Sequence, residues 1–179
     1  MLSIMIDMPR WSNHPAPFRT KIILLALVSG VLHSQVPPVA HHTWKTYTNV
    51  RFTFATCYPE DLLIPQGEAE NSDGQTFLAK DGAKLLAYGR NNALNQSLKD
   101  ALEDTVSRLV GVSGMVTYKV IKPNWFAVAG QNKQTSFYAK TIYDRGQFKS
   151  FELAYDSSLF GVYKPVIHRL VSCFADLGH

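Results

Sequence analysis

At 179 residues, 46% hydrophobic and 18% charged, the chain is long enough to bury a sizeable core as one domain without metal or several disulfides. Its formal net charge of +4 is spread over scattered Lys and Arg with no cluster that would track a phosphate backbone, so nucleic acid is not an expected partner. The only long apolar run, Ile22 to Leu32, has eleven residues, short of the roughly 20 that a membrane span needs.

That run follows Arg19 and Lys21 and precedes a stretch rich in Pro and His, the layout of a secretory signal peptide. Residues 1–40 are therefore read as a leader and 41–179 as a single domain. Met5 and Met8 are alternative starts, and cleavage fits after Ser34 or after Ala40. An uncleaved N-terminal anchor is the alternative. Either way the domain is expected outside the cytoplasm, periplasmic or secreted, with no membrane span once the leader is removed. The 139 residues from His41 carry 15 basic and 13 acidic side chains, a net of +2, so part of the basic character belongs to the leader.

His41 to Lys45 reads as a linker. From Thr48, Val50, Phe52 and Phe54 alternate with Arg51, Thr53 and Ala55, the period-two pattern of one strand ending at Pro59. Glu60 to Gly74 is acidic and rich in turn residues and reads as a surface loop, with Leu62, Leu63 and Ile64 tucked inward. Gln75 to Ala79 and Lys84 to Gly89 form a hairpin closed at Asp81-Gly82. After a polar connection from Arg90 to Asn95, Ser97 and Asp100 make a variant capping box. Leu98, Ala101, Leu102, Thr105, Val106 and Leu109 then form one helical stripe, which Gly111 and Gly114 stop.

Four strands follow: Met115 to Ile121, Trp125 to Ala129, Ser136 to Tyr143 and Phe148 to Tyr155. Their short links impose antiparallel pairing. A last helix is expected to open at Pro165 and to carry Val166, Ile167, Leu170, Val171 and Phe174 on one side. The fold class is thus α+β, an antiparallel sheet of about six to seven strands covered by two helices. The second faces of the strands, with Lys119, Lys140, Lys149 and Glu152, are expected to stay wet.

The segment Tyr47-Thr48-Asn49-Val50-Arg51-Phe52-Thr53-Phe54, followed by Tyr58-Pro59, resembles the start of proteins with the PsbP/Mog1/DcrB-like fold. The order of elements is similar too, and the resemblance spans residues 47 to 175. It implies that fold and a non-enzymatic role as an accessory, scaffold or chaperone-like binding module, and it brings no catalytic residue with it.

Candidate chemistry is sparse. Cys57 and Cys173, both after the leader, read as one disulfide or as two buried thiols. His41-His42 is a poor metal site without carboxylate or Cys partners, and His168 reads as a solvated residue on the polar side of the last helix. His168 and Cys173, five apart on one helix, point about 140° apart, which argues against a thiol dyad. No G-x-S-x-G, EF-hand order or Gly-rich phosphate cradle is present, so neither cofactor nor metal is expected.

Aromatics are the residual signal. Adjacent Trp125 and Phe126 must point to opposite faces of a strand, so one of them is available for a recognition patch with Tyr138 or Tyr143. Tyr88 and Arg90 complete the candidate binding residues. These features lead to an exported envelope module, without catalytic activity, that contacts another envelope protein or a small ligand. The alternatives are a small secreted enzyme or inhibitor with its site around Tyr88 to Asn92, and a secretion-system accessory or immunity protein.

Overall fold

A computed structural model describes residues 41–178. The leader, its alternative starts and its cleavage points lie outside the described residues. In chain order the elements are β1 (Trp44–Asn49), β2 (Phe54–Pro59), β3 (Ile64–Glu68), β4 (Gly74–Leu78), β5 (Lys84–Asn91) and α1 (Leu98–Val110). They continue with β6 (Met115–Lys122), β7 (Trp125–Asn132), β8 (Thr135–Asp144), β9 (Gln147–Asp156), α2 (Phe160–Cys173) and β10 (Ala175–Asp176). Seven strands form one antiparallel sheet in the order β3-β4-β5-β9-β8-β7-β6, and β1-β2-β10 form a second, smaller sheet.

The first strand expected from sequence is in fact a hairpin. Asn49 is wholly buried and stops β1: its Oδ1 accepts from the Phe52 N–H at 2.8 Å, which closes a tight turn, and Thr53 takes a φ of 50°. The Asn49 amide donates to the Tyr47 hydroxyl, to Glu68 and to the Ser72 carbonyl, at 2.8 to 3.0 Å. The alternation of Val50 with Phe52 is therefore accidental, since Val50 is 83% exposed and Phe52 is buried against Gly89. His41–Lys45 is not a free linker either. His42 pairs with Asp61 at 2.8 Å, and Trp44 opens β1 opposite Pro59. The acidic loop likewise contains a strand, β3, exposed throughout and kept as a sheet edge by Pro65 and by a break in register between Pro65 and Glu68.

The central elements follow the sequence signals. Gly82, at φ 88°, closes the β4–β5 turn. Ser97 and Asp100 form the reciprocal capping box at α1, with N–H to oxygen distances of 3.1 and 3.0 Å. The last helix differs. Asp156 caps a short 3-10 turn over Ser157–Leu159 by accepting from the Ser158 N–H at 2.8 Å, and α2 continues directly from that turn. Pro165 therefore lies inside the helix. Its missing N–H would have met the Gly161 carbonyl, and both residues face solvent, where water can hydrate that carbonyl.

Neither face of the central strands is wet. From Phe148 to Leu153 every β9 residue is buried. One face, with Phe148, Phe126, Val128, Phe137 and Ala139, packs under α1. The other, with Phe151, Leu153, Leu85 and Ala87, packs under α2 and the small sheet. The four polar residues expected on one open face are divided between the two: Lys119 and Glu152 share the α1 side, Lys140 and Lys149 the α2 side. Glu152 is held by Arg108 of α1, with one contact at 2.8 Å, and by the Tyr88 hydroxyl at 2.7 Å. Lys149, 1% exposed, is paired with Asp176 of β10.

Candidate functional site

Between α2 and the strands at the β6 end of the large sheet lies a groove of about 830 Å³. Its floor is set by cross-strand register. Tyr118 of β6 and Tyr138 of β8 both lie beside Ala129 of β7 on one face. The small Ala129 side chain lets the two phenol rings stack over it, their centroids 6.4 Å apart and planes 16° from parallel. Phe151 continues the column 6.0 Å beyond Tyr138. The opposite wall is α2, which contributes Phe160, Lys164, Ile167, His168 and Val171. These residues recur at helical spacing, so the wall runs for three turns, roughly 16 Å. At one end the Ser136 and Ser157 hydroxyls share a hydrogen bond of 2.8 Å.

The electrostatics are one-signed. Lys164 and His168 stand on the α2 rim, and no Asp or Glu lines the groove. Lys140 lies under the far end, its Nζ donating to the Val171 carbonyl at 3.3 Å and standing 5.4 Å from the Trp125 ring. Burial pushes the Lys140 ammonium below its usual pKa and pushes the Tyr138 phenol up to about 12, with Tyr118 adding to the latter shift.

The candidate recognition residues separate in space. Trp125 and Tyr138 share the face under α2, one partly exposed beyond Lys140 and the other in the groove. Tyr143 lies on the opposite face, its ring 4.9 Å from Phe148. Tyr88 and Arg90 are on that face too, and both serve the seating of α1. Tyr88 donates to Glu152, while Arg90 lies 4.2 Å over the Phe148 ring and donates to Gln96 at 3.0 Å. The Tyr88–Asn92 segment thus forms the support of the helix entrance, where Asn92 and Gln96 also exchange two hydrogen bonds at 2.8 and 2.9 Å.

Sequence reasoning missed Tyr118, Ala129, Lys164 and His168 as a group. The signal was within reach for His168, which is next to Ile167 and one turn from Lys164, but the helix start at Pro165 left Lys164 outside the helix. Cys57 and Cys173 are bonded, with Cα atoms 5.9 Å apart, and this bond ties β2 to the end of α2. Among the described residues no group of three His, Cys, Asp or Glu is placed to hold a metal ion, and no helix is long and apolar enough to cross a membrane.

No family model matches the sequence, and no curated protein matches it. Its fold does match a solved structure. The solution structure of cyanobacterial PsbP (CyanoP) from Synechocystis sp. PCC 6803 superposes with a TM-score of 0.56 at 13% identity, over 78% of this chain and 95% of that one. At that identity the likeness is one of architecture, and it agrees with the resemblance carried by Tyr47–Phe54 and Tyr58-Pro59. The chain has a PsbP-like α+β fold.

Proposed function

We propose that the protein is an exported binding or accessory module of the cell envelope that acts without catalysis and takes its ligand in the groove between α2 and the β6–β8 face. The observation that carries this reading is the groove itself. It is a preformed, largely apolar cleft within the usual ligand-site range of about 300–1,000 Å³, with a few polar groups on its rim.

Export is supported by the Ile22–Leu32 leader pattern and by the Cys57–Cys173 bond, since disulfides persist in oxidising compartments. A non-catalytic role is supported by how the buried ionisable groups are used. Glu152 and Arg108 seat α1, Lys149 and Asp176 hold the C-terminal strand, and the Tyr163 hydroxyl donates to Asp81 at the β4–β5 turn.

The test has two arms on the protein expressed from its full coding sequence. In the first, mass spectrometry of the secreted or periplasmic fraction, after alkylation without reductant, is expected to show a shortened chain with no alkylated cysteine. A chain retained in the cytoplasm with both thiols modified overturns the export reading. In the second arm, the neutral fluorophore N-phenylnaphthylamine is titrated into that protein. Ala129→Phe, which fills the space between Tyr118 and Tyr138, is expected to weaken the fluorescence response about ten-fold, the loss of one well-buried apolar contact area. An unchanged response overturns the groove as the binding site.

A further inference from the structure

The groove is charged as well as apolar, and the two properties together specify a ligand. Resting on the reading that this groove is a binding site, we propose that it takes a linear hydrocarbon chain ending in a carboxylate. The chain lies against Tyr118, Ala129, Tyr138 and Ile167, and the head sits by Lys164 and His168.

Shape is the first argument. The wall formed by α2 is three turns long and faces one side of the sheet, so the space is elongated along the helix and suits a linear molecule. Hydrogen bonding is the second. Floor and wall are a sheet face and a helix flank that present side chains to the groove, while the unpaired backbone groups nearby lie on the outer edge of β6 and at the Gly161 carbonyl. An extended peptide lying there would bury N–H and C=O groups with no backbone partner, at a cost of about 1–3 kcal/mol for each group left unsatisfied. A hydrocarbon chain carries no such groups.

Charge is the third argument. None of the residues lining the groove is acidic. Among the described residues, neither Lys164 nor Lys140 takes part in an ion pair, although seven such pairs occur elsewhere. The Lys164 ammonium lies 5.8 Å from the Phe160 ring at the groove mouth, within reach of a head group there. A cation is disfavoured at such a rim, and an anion gains a charge-assisted hydrogen bond.

The experiment compares decanoate, decanol and decyltrimethylammonium by isothermal titration calorimetry below their critical micelle concentrations, with the exported protein. Wild type is expected to bind decanoate about ten-fold more tightly than decanol, and decyltrimethylammonium more weakly still. The double variant Lys164→Gln/His168→Gln is expected to bring the ratio of decanoate to decanol affinity from about ten to about one. Ala129→Phe weakens all three ligands, and Ile167→Asn serves as the second floor-and-wall variant if Ala129→Phe does not keep the wild-type circular dichroism spectrum.

Equal affinity for the three, or a preference for the ammonium, overturns the carboxylate assignment while leaving the groove as an apolar site. Decanoate binding that survives both groove variants places the ligand elsewhere and overturns the proposal. An apolar pentapeptide that binds more tightly than decanoate overturns it as well. No binding of any alkyl ligand overturns the proposal and the groove reading together.

Discussion

Lys149 is a buried charge whose stability contribution depends on its partner. Its ammonium is 1% exposed and is held by Asp176, with the Thr53 hydroxyl at 3.5 Å and Asp144 at 3.9 Å. Asp176→Ala leaves a buried charge without its main partner and is expected to cost about 3 kcal/mol, whereas Lys149→Met removes the charge itself and costs about 1 kcal/mol. Urea unfolding of the two variants checks the asymmetry. Burial is the largest single influence on Asp176 and pushes its pKa up, but hydrogen bonds from Lys149 and from the Gly178 N–H together hold it below the usual carboxylate range. A carboxyl depressed in the folded state contributes stability above its unfolded pKa of about 3.9 and loses it as pH falls through the folded value. The wild-type advantage over Asp176→Ala is therefore full at neutral pH and shrinks in acid below about pH 4.

The elements depend on close approaches as much as on propensity. The hairpin of β1 and β2 docks on the large sheet by placing Phe52 directly over Gly89 of β5, where a Cβ would fall 2.1 Å from the Phe52 ring. Gly89→Ala must displace a buried aromatic side chain and is expected to cost about 1–3 kcal/mol, the range of an overpacked core, measured by thermal or urea denaturation. The same contact explains why the hairpin escaped notice in the sequence. Val50, Phe52 and Phe54 alternate as a strand would, yet Asn49 turns the chain there by bonding its own backbone three residues on. Elements marked by local chemistry are legible instead: the Ser97–Asp100 box, the Asp81-Gly82 turn and the short links between β6 and β9. Pro165 misled because a helix start fits proline well, while the actual start, Asp156 with Ser157 and Ser158, lies nine residues earlier.

For the whole molecule, the Cys57–Cys173 bond is the longest-range covalent constraint, closing a separation of 116 residues. In the chain-entropy account a loop of that size is worth about 4–5 kcal/mol. The paired variant Cys57→Ser/Cys173→Ser is expected to lose stability of that order, and reductant should shift the melting temperature of the wild type but not of the variant. The bond also anchors the C-terminal end of α2, the helix that forms one wall of the groove, so the staple and the candidate site share an element.

The sequence by itself determined the α+β class, the antiparallel meander, the cap of α1 and the composition compatible with export. Each of these rests on interactions between residues close in the chain. It also named Trp125, Tyr138, Tyr143, Tyr88 and Arg90 as one candidate surface. Only the tertiary structure divided them between two faces, through the register of β5 with β9 and of β7 with β8. Tertiary structure brought Cys57 and Cys173, which the sequence offered as a disulfide or as two thiols, to bonding distance, and it alone buried Lys149 and Glu152 and set Lys164 and His168 opposite Tyr118 and Ala129. Such placements depend on which strand lies beside which and on which face receives a helix. Those choices come from long-range packing, and no local pattern in the chain encodes them.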